Sequence, residues 1–581
     1  MQQNIQQNQE QNQISQDKKQ LFLKREENQV EIRKNQRDFY LNQNRKHQIQ
    51  KTQKSTNIYD QGIDITYPEQ NDNQNNNYNN QDYLQQDVQN FQEKAVTEPK
   101  MLQEYINIIK QNNNQHEILK AIKILRLSTS YQNCPTNYLG NMKIVQENHI
   151  VKEILQAFKN NQNKDYQREI IKLLLQYLQG TTKQTEQVLE AEIYIFDSYR
   201  NGLSLFDYLF DLYFRNKDLE SLENVAFALG NIIGTKLEYK EELIKNNIFT
   251  RLIQVLNYYT NQNNQQQQIS NLFKHIAWSL CTLTREDPPA GYEFKIDNIQ
   301  FLVKLLINSQ EEEFLMDIAW TILQIVKIHI KADQQIGNTG AIQFLLQCNI
   351  LQAIEKLIQK SQLPLVLPAL RMYSLLLQGD DQITKNILNL TNNVILKRIH
   401  DHVTHTMRVV RYEAIVVIGE IAQKHDQQIQ EIVLNKFIET IIYKADKDDQ
   451  KVIQKCLEVI NQVFQSFQEQ KLYLLVNVNL YDVLRVYLSN TETDSANTFY
   501  SLSILESILK ICIKQPLILN DPNKIEKVVK FIEEKELIYM VEGYQNNPYE
   551  NIYKKSFNIL DMYKKLENGQ FLIENGEIEL D

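Results

Sequence analysis

Three segments of this chain repeat one arrangement, an aromatic residue four positions before a polar one: Phe227 before Asn231, Trp278 before Thr282, and Trp320 before Gln324. On a helix, residues i and i+4 sit one turn apart on the same face. Each segment therefore sets an aromatic wall beside a hydrogen-bonding group. The spacings are 51 residues from Phe227 to Trp278 and 42 on to Trp320, against a period of about 40–47 for stacked helical repeats. Corresponding positions extend the series, with 55 residues from Lys172 to Phe227, 51 from Trp320 to Arg371 and 45 on to Val416. The long interval before Trp278 has a visible cause in the loop-like insertion Asn261-Gln-Asn-Asn-Gln-Gln-Gln-Gln268.

A repeat array grows by adding layers, so 581 residues do not require several separate cores. Only 14 Gly and 10 Pro interrupt the chain, and apolar residues recur at helical spacing, as in Leu102-Tyr105-Ile106-Ile109 and Ile170-Ile171-Leu174-Leu175. The expectation is an all-α fold: a right-handed superhelical solenoid of about ten two- or three-helix repeats over 97–566. If the aromatic and polar faces align between repeats, they form a groove for an extended peptide. Amides would hold its backbone, and aromatic rings would sandwich the stems of its Lys or Arg side chains.

The net charge of −9 is unevenly distributed. Residues 17–54 carry eleven Lys/Arg and five Asp/Glu, a local +6, which leaves −15 for the rest. An acidic body repels phosphate and suits cationic peptides better than nucleic acid. Residues 1–16 and 66–92 are dominated by Gln and Asn and are expected to be disordered. The sequence divides into a basic arm (1–60) that becomes helical on a partner, an Asn/Gln-rich linker (61–96), the array, and an acidic tail (567–581).

Cys134, Cys281, Cys348, Cys456 and Cys512 form no Cys-x-x-Cys pair and are read as small core residues of a reducing compartment. No apolar run reaches the roughly 20 residues that cross a bilayer, and Met1-Gln-Gln-Asn-Ile5 begins no secretory signal. His400-Asp-His402-Val-Thr-His405 gathers three imidazoles, but His400 points away from His402 and His405 on a helix, so a surface inter-repeat helix is the better reading than a metal site. No paired carboxylates, nucleophile motif or Gly-rich phosphate loop is present. A binding protein without cofactor or catalysis is expected.

Several strings, taken in order, resemble the importin α family. Lys24-Arg25-Glu-Glu-Asn-Gln-Val-Glu-Ile-Arg33-Lys34-Asn-Gln-Arg37 is similar to its importin-β-binding helix, and Gly180-Thr-Thr-Lys-Gln-Thr185 to the loop after its first repeat. Ala228-Leu-Gly-Asn231-Ile-Ile-Gly234, Pro288-Pro289, Pro368-Ala-Leu-Arg371 with Gly379-Asp-Asp381, and Asn551 to Asp561 resemble later repeats. The resemblance implies a nuclear import adaptor with armadillo repeats. Asn231 would clamp the backbone of a cargo's basic signal between the walls Phe227, Trp278 and Trp320, with Thr282, Gln324 and Arg371 in the same groove. Gly180 and Thr185 would line the pocket of the key lysine. Lys24, Arg25, Arg33, Lys34 and Arg37 would bind importin β, which supplies the nuclear pore contact, and the protein would shuttle between cytoplasm and nucleus. It would neither bind nucleic acid directly nor insert into membranes.

The chain also departs from that pattern. Thr235 replaces an Asp that neutralises the key lysine, and Thr282 replaces an Asn. Lys172 with Gln176, and Val416 with Glu420, stand where Trp/Asn pairs are expected, so the minor groove is degenerate. Leu41-Asn42-Gln43-Asn44 replaces a basic self-inhibitory signal, with Arg45-Lys46 the nearest basic pair. The alternative is an armadillo scaffold whose groove holds a partner without a nuclear signal.

Overall fold

The computed structural model describes residues 98–567 apart from 112–113, 130–137, 148, 162, 179–181, 197–204, 236, 262–269, 286–293, 392–393, 466–473, 490–494 and 515–521. Among the described residues every regular element is helical. The basic arm, the Asn/Gln-rich linker, Cys134, Gly180, residues 262–268 of the Asn/Gln insertion, Pro288-Pro289 and residues 568–581 of the tail lie outside the described residues. None of the described helices is long and apolar enough to cross a membrane.

The helices fall into successive groups that end in a longer, deeply buried member. Two compact units are formed, Met1–Ile248 with Gln267–Ser279, and Phe249–Gln266 with Leu280–Asp581. In the first unit the long helices Gln115–Ser128, Lys164–Leu178 and Leu219–Ile233 pack each on the next. In the second the row runs Glu312–Gln335, Leu363–Leu376, Arg408–Ala422, Gln450–Gln465, Ser495–Lys514 and Glu550–Glu567. Helix Ser270–Thr284 contributes to both units. Lys172, Phe227, Trp278, Trp320, Arg371 and Val416 all fall on these long helices, so the spacing read from the sequence marks one structural position per repeat.

Packing explains why the long helices carry so little polar surface. Leu219–Ile233 buries Ser221, Leu222 and every residue from Val225 to Ile233, as a helix flanked by neighbours and backed by its own repeat must. Shorter helices are one-sided. Ile350–Ile358 buries Ile350, Ala353, Ile354, Leu357 and Ile358, the i, i+3, i+4, i+7, i+8 stripe of an amphipathic helix.

A turn that the sequence reading missed recurs through the array. His149, Asn247, Asn349 and Glu536 have φ between 50° and 61°, and each lies two residues past one helix end and immediately before a completely buried Ile150, Ile248, Ile350 or Leu537. The left-handed residue reverses the chain, and the Ile or Leu drives the next helix into the core. Asn tolerates this conformation; for Glu it costs about 1–2 kcal/mol. Glu536→Gly is therefore expected to raise stability by about 0.5–1 kcal/mol after the entropy of the unfolded glycine is subtracted. An unchanged or lowered urea midpoint would refute this.

His400 and His402 lie on helix Val394–Val403, but His405 follows the helix end, and His402 is buried rather than on the surface. Its Nε2 is 3.2 Å from the Ile358 carbonyl oxygen, and burial holds its pKa below the ordinary imidazole value. No group of metal-ligating side chains occurs among the described residues. Cys281, Cys348, Cys456 and Cys512 are buried free thiols, and burial pushes Cys512 up to about 12.

Candidate functional site

In the first unit the site is built on helix Leu219–Ile233. Asp218 caps it, its side chain accepting from the Ser221 amide. Burial pushes the Asp218 carboxyl up, but the Arg168 guanidinium at 2.9 Å and the Ser221 bonds hold it below the usual carboxylate range. Phe227, nine residues further on, is 8% exposed, with its ring 4.7 Å from that of His275 and 5.9 Å from the Trp278 indole. The aromatic residues of two adjoining repeats thus meet each other, a contact the within-helix spacing did not predict.

Its seat is Gly230, which sequence reasoning passed over. A Cβ at this position would lie 2.2 Å from the Trp278 ring, so the indole rests on the bare helix backbone. The Ser279 hydroxyl donates to the His275 carbonyl at 2.9 Å, alongside this contact. One residue on, Asn231 is 3% exposed, and its Nδ2 meets no acceptor among the described residues. A buried amide donor left in this way costs on the order of 1–3 kcal/mol until something accepts from it. Thr235 donates its hydroxyl to the Asn231 carbonyl at 2.8 Å, so here it serves the helix end.

Upstream, ion pairs fill the positions where the walls are missing. Arg126 meets Glu169 at 2.7 Å, Glu169 meets Lys172 at 3.8 Å, and Lys172 meets Glu220 at 2.7 Å, linking three successive long helices. Gln176 accepts from the Thr129 hydroxyl at 3.0 Å. Thr185 belongs to helix Thr182–Phe196 rather than a loop, and it is fully buried with its hydroxyl unpartnered among the described residues. Its side chain reaches no solvent.

In the second unit Trp320 is half-buried and donates its Nε1 proton to the Pro364 carbonyl at 3.0 Å. The Arg371 guanidinium lies over its ring, 5.5 Å from the centroid, and is held there by Glu413 at 2.7 Å. One face of this wall already carries a cation of the chain itself. Gln324 is half-buried on the same helix, and Thr282 is buried. Further along, Gln334 donates to Gln378, in the turn just past helix Leu363–Leu376, at 2.9 Å, and Gln378 to Glu420 at 3.2 Å, an amide relay between helices Glu312–Gln335 and Arg408–Ala422 that the sequence did not announce. Val416 is half-buried beside it in sequence and offers no wall. Toward the end of the row, Glu506 is bound by Lys555 at 2.7 Å and Lys510 at 2.9 Å.

This arrangement can hold an extended chain by amide and aromatic contacts. No group of metal-ligating side chains occurs among the described residues. The fold defines the class: an all-α repeat protein of the armadillo type. No protein-family profile matches the chain. Over 167 residues, 29% of this chain, it is 22% identical to importin subunit alpha-1b of Oryza sativa subsp. japonica, and the match spans 28% of that protein. Among solved structures, an engineered protein superposes with a TM-score of 0.58 at 16% identity, covering 80% of this chain and 98% of its own. A chain from a structure of the cadherin and beta-catenin phosphorylation switch superposes at 0.53 with 11% identity, covering 80% and 94%.

Proposed function

We propose that this chain is a nuclear import adaptor, which takes a basic nuclear localisation signal on its long-helix row and importin β on its N-terminal arm. The observation that carries the reading is the Phe227–Trp278 pair beside the Asn231 amide, which meets no acceptor among the described residues. The rings provide walls for the alkyl stem of a Lys or Arg, and the amide provides a donor for a peptide carbonyl. The partial likeness to an importin α and the local +6 of residues 17–54 support the same reading.

The covered face of Trp320 makes the walls unequal. Trp278→Ala or Asn231→Ala should each weaken a Lys-rich peptide by about 1–3 kcal/mol, roughly 5- to 150-fold. Trp320→Ala should cost under about 1 kcal/mol, because Arg371 already occupies that ring. Glu420→Ala, as a control, should change little. Calorimetry with a Lys-rich peptide decides: a parent that binds no basic peptide overturns the signal-binding reading and leaves an armadillo scaffold. The arm is tested separately. Replacing Arg25, Arg33, Lys34 and Arg37 together with Ala should weaken importin β at least about tenfold, near 1.4 kcal/mol. Unchanged affinity would remove the arm from the proposal.

A further inference from the structure

Within the second unit, a cavity of about 270 Å³ lies between the amino-terminal ends of helices Ser495–Lys514 and Glu550–Glu567, away from the aromatic walls described above. Three of its lining residues are aromatic: Phe499 and Tyr500 on the first helix, and Tyr549 just before the second. The Phe499 and Tyr500 rings stand at 67° with centroids 5.9 Å apart, and Tyr549 is 57% exposed. Small-molecule and cofactor sites run to about 300–1,000 Å³, so this space suits one or two rings of a docked chain better than a whole cofactor. Its polar groups are chiefly donors. Asn551 lines the cavity, and its Oδ1 accepts from the Ile552 amide at 3.0 Å, which leaves the side-chain NH2 for a ligand. The Tyr549 carbonyl is taken by the Ile552 and Tyr553 amides, both at 3.0 Å. Tyr500 and Tyr549 bring hydroxyls that donate as well.

The charges around the cavity select against a cation. Lys555 Nζ lies over the Phe499 ring, 5.1 Å from its centroid, and is bound at 2.7 Å to Glu506, which Lys510 also binds at 2.9 Å. Glu458, whose charge acts on Tyr500 from helix Gln450–Gln465, is paired with Lys455 at 2.8 Å, and Glu550 with Lys554 at 2.7 Å. Each of these acids is already matched by an ammonium. A Lys or Arg entering the cavity would meet positive charge over one ring and find none of the three carboxylates open to it. We propose that the cavity docks a proline from an extended, proline-containing segment of a partner protein. The pyrrolidine ring is uncharged and rigid, and the X–Pro amide brings a carbonyl for the Asn551 NH2 without an N–H that would itself need an acceptor. Proline-rich segments hold their extended form before they bind, so an aromatic-lined site takes them at low entropic cost.

Calorimetry of the full chain with an oligoproline peptide tests this. Saturable binding with a Kd below about 1 mM is expected, and a Gly-Ser peptide of the same length should not bind. Tyr549→Ala removes one exposed ring, while Asn551→Asp keeps the oxygen that accepts from the Ile552 amide and removes only the NH2. Each should weaken oligoproline at least about fivefold, without lowering the urea midpoint. Trp278→Ala, which acts on the wall proposed for a basic signal, should leave oligoproline binding as it is, so the two sites can fail separately. The proposal is overturned if the parent binds no oligoproline, if the Gly-Ser peptide binds equally well, or if Tyr549→Ala and Asn551→Asp both bind like the parent. Displacement of oligoproline by a Lys-rich peptide also overturns it, since the cavity would then belong to a basic-peptide groove.

Discussion

Asp448→Ala should lower stability by about 3 kcal/mol at neutral pH. The Asp448 side chain is only 2% exposed and receives the Arg411 guanidinium through two bonds, at 2.8 and 2.5 Å, with the Lys444 ammonium at 3.4 Å. It also accepts from the Asp449 amide at 2.8 Å. Removing the carboxylate leaves two partly buried cations without their acid, and such losses run to about 3–5 kcal/mol. The lower end applies because Arg411 and Lys444 keep 15% and 17% of their surface in water. Burial pushes the Asp448 carboxyl up, but the Arg411 bonds, the Asp449 amide and Lys444 outweigh it and hold the pKa below the ordinary value. A folded-state pKa below the unfolded one means that the pair's contribution is complete above the unfolded value of about 3.9. It fades as pH falls through the folded pKa. Urea unfolding of parent and variant should therefore diverge most at pH 7 and converge in strong acid. A difference under about 1 kcal/mol at pH 7 would show that the pair is not a structural tie.

The second large effect is expected at Gly230. In an ordinary helix Gly→Ala stabilises by about 1 kcal/mol, yet here the added methyl would lie 2.2 Å from the Trp278 ring. The indole must leave its seat, and overpacking of this kind costs about 1–3 kcal/mol. Gly230→Ala should then be destabilising despite the better helix former. It should also weaken a Lys-rich peptide as strongly as Trp278→Ala, because it removes the same wall. The chain has two tryptophans, so a Trp320→Phe background isolates Trp278. Its emission should shift to the red as the ring enters water. An unchanged spectrum with raised stability would mean that the indole has another seat.

The repeat positions were legible because a long helix packed in a row must present one face at one place per period. Phe227, Trp278 and Trp320 mark that place by their size, and Lys172, Arg371 and Val416 follow from spacing. The turn residues were less legible. His149, Asn247, Asn349 and Glu536 share a backbone conformation and a following buried Ile or Leu, but unequal intervals and three residue types hide the recurrence. Gly230 was visible inside Ala228-Leu-Gly-Asn231, where a mid-helix glycine has a stability cost and so implies a packing reason. What packs there lies in the next repeat, about fifty residues away in sequence.

The sequence by itself determined the helical class, the phase of the repeats and the aromatic residues of the long-helix row, since periodicity and the scarcity of Gly and Pro are local properties that any packing must respect. Partnership was decided only by tertiary structure. Nothing local says that Arg371 covers Trp320 under the hold of Glu413, that Lys172 is tied to Glu220, that Thr185 is buried, or that the Asn231 amide meets no acceptor among the described residues. Each depends on which side chains of adjoining layers meet. That follows from the stagger of one long helix on the next, which no single repeat encodes.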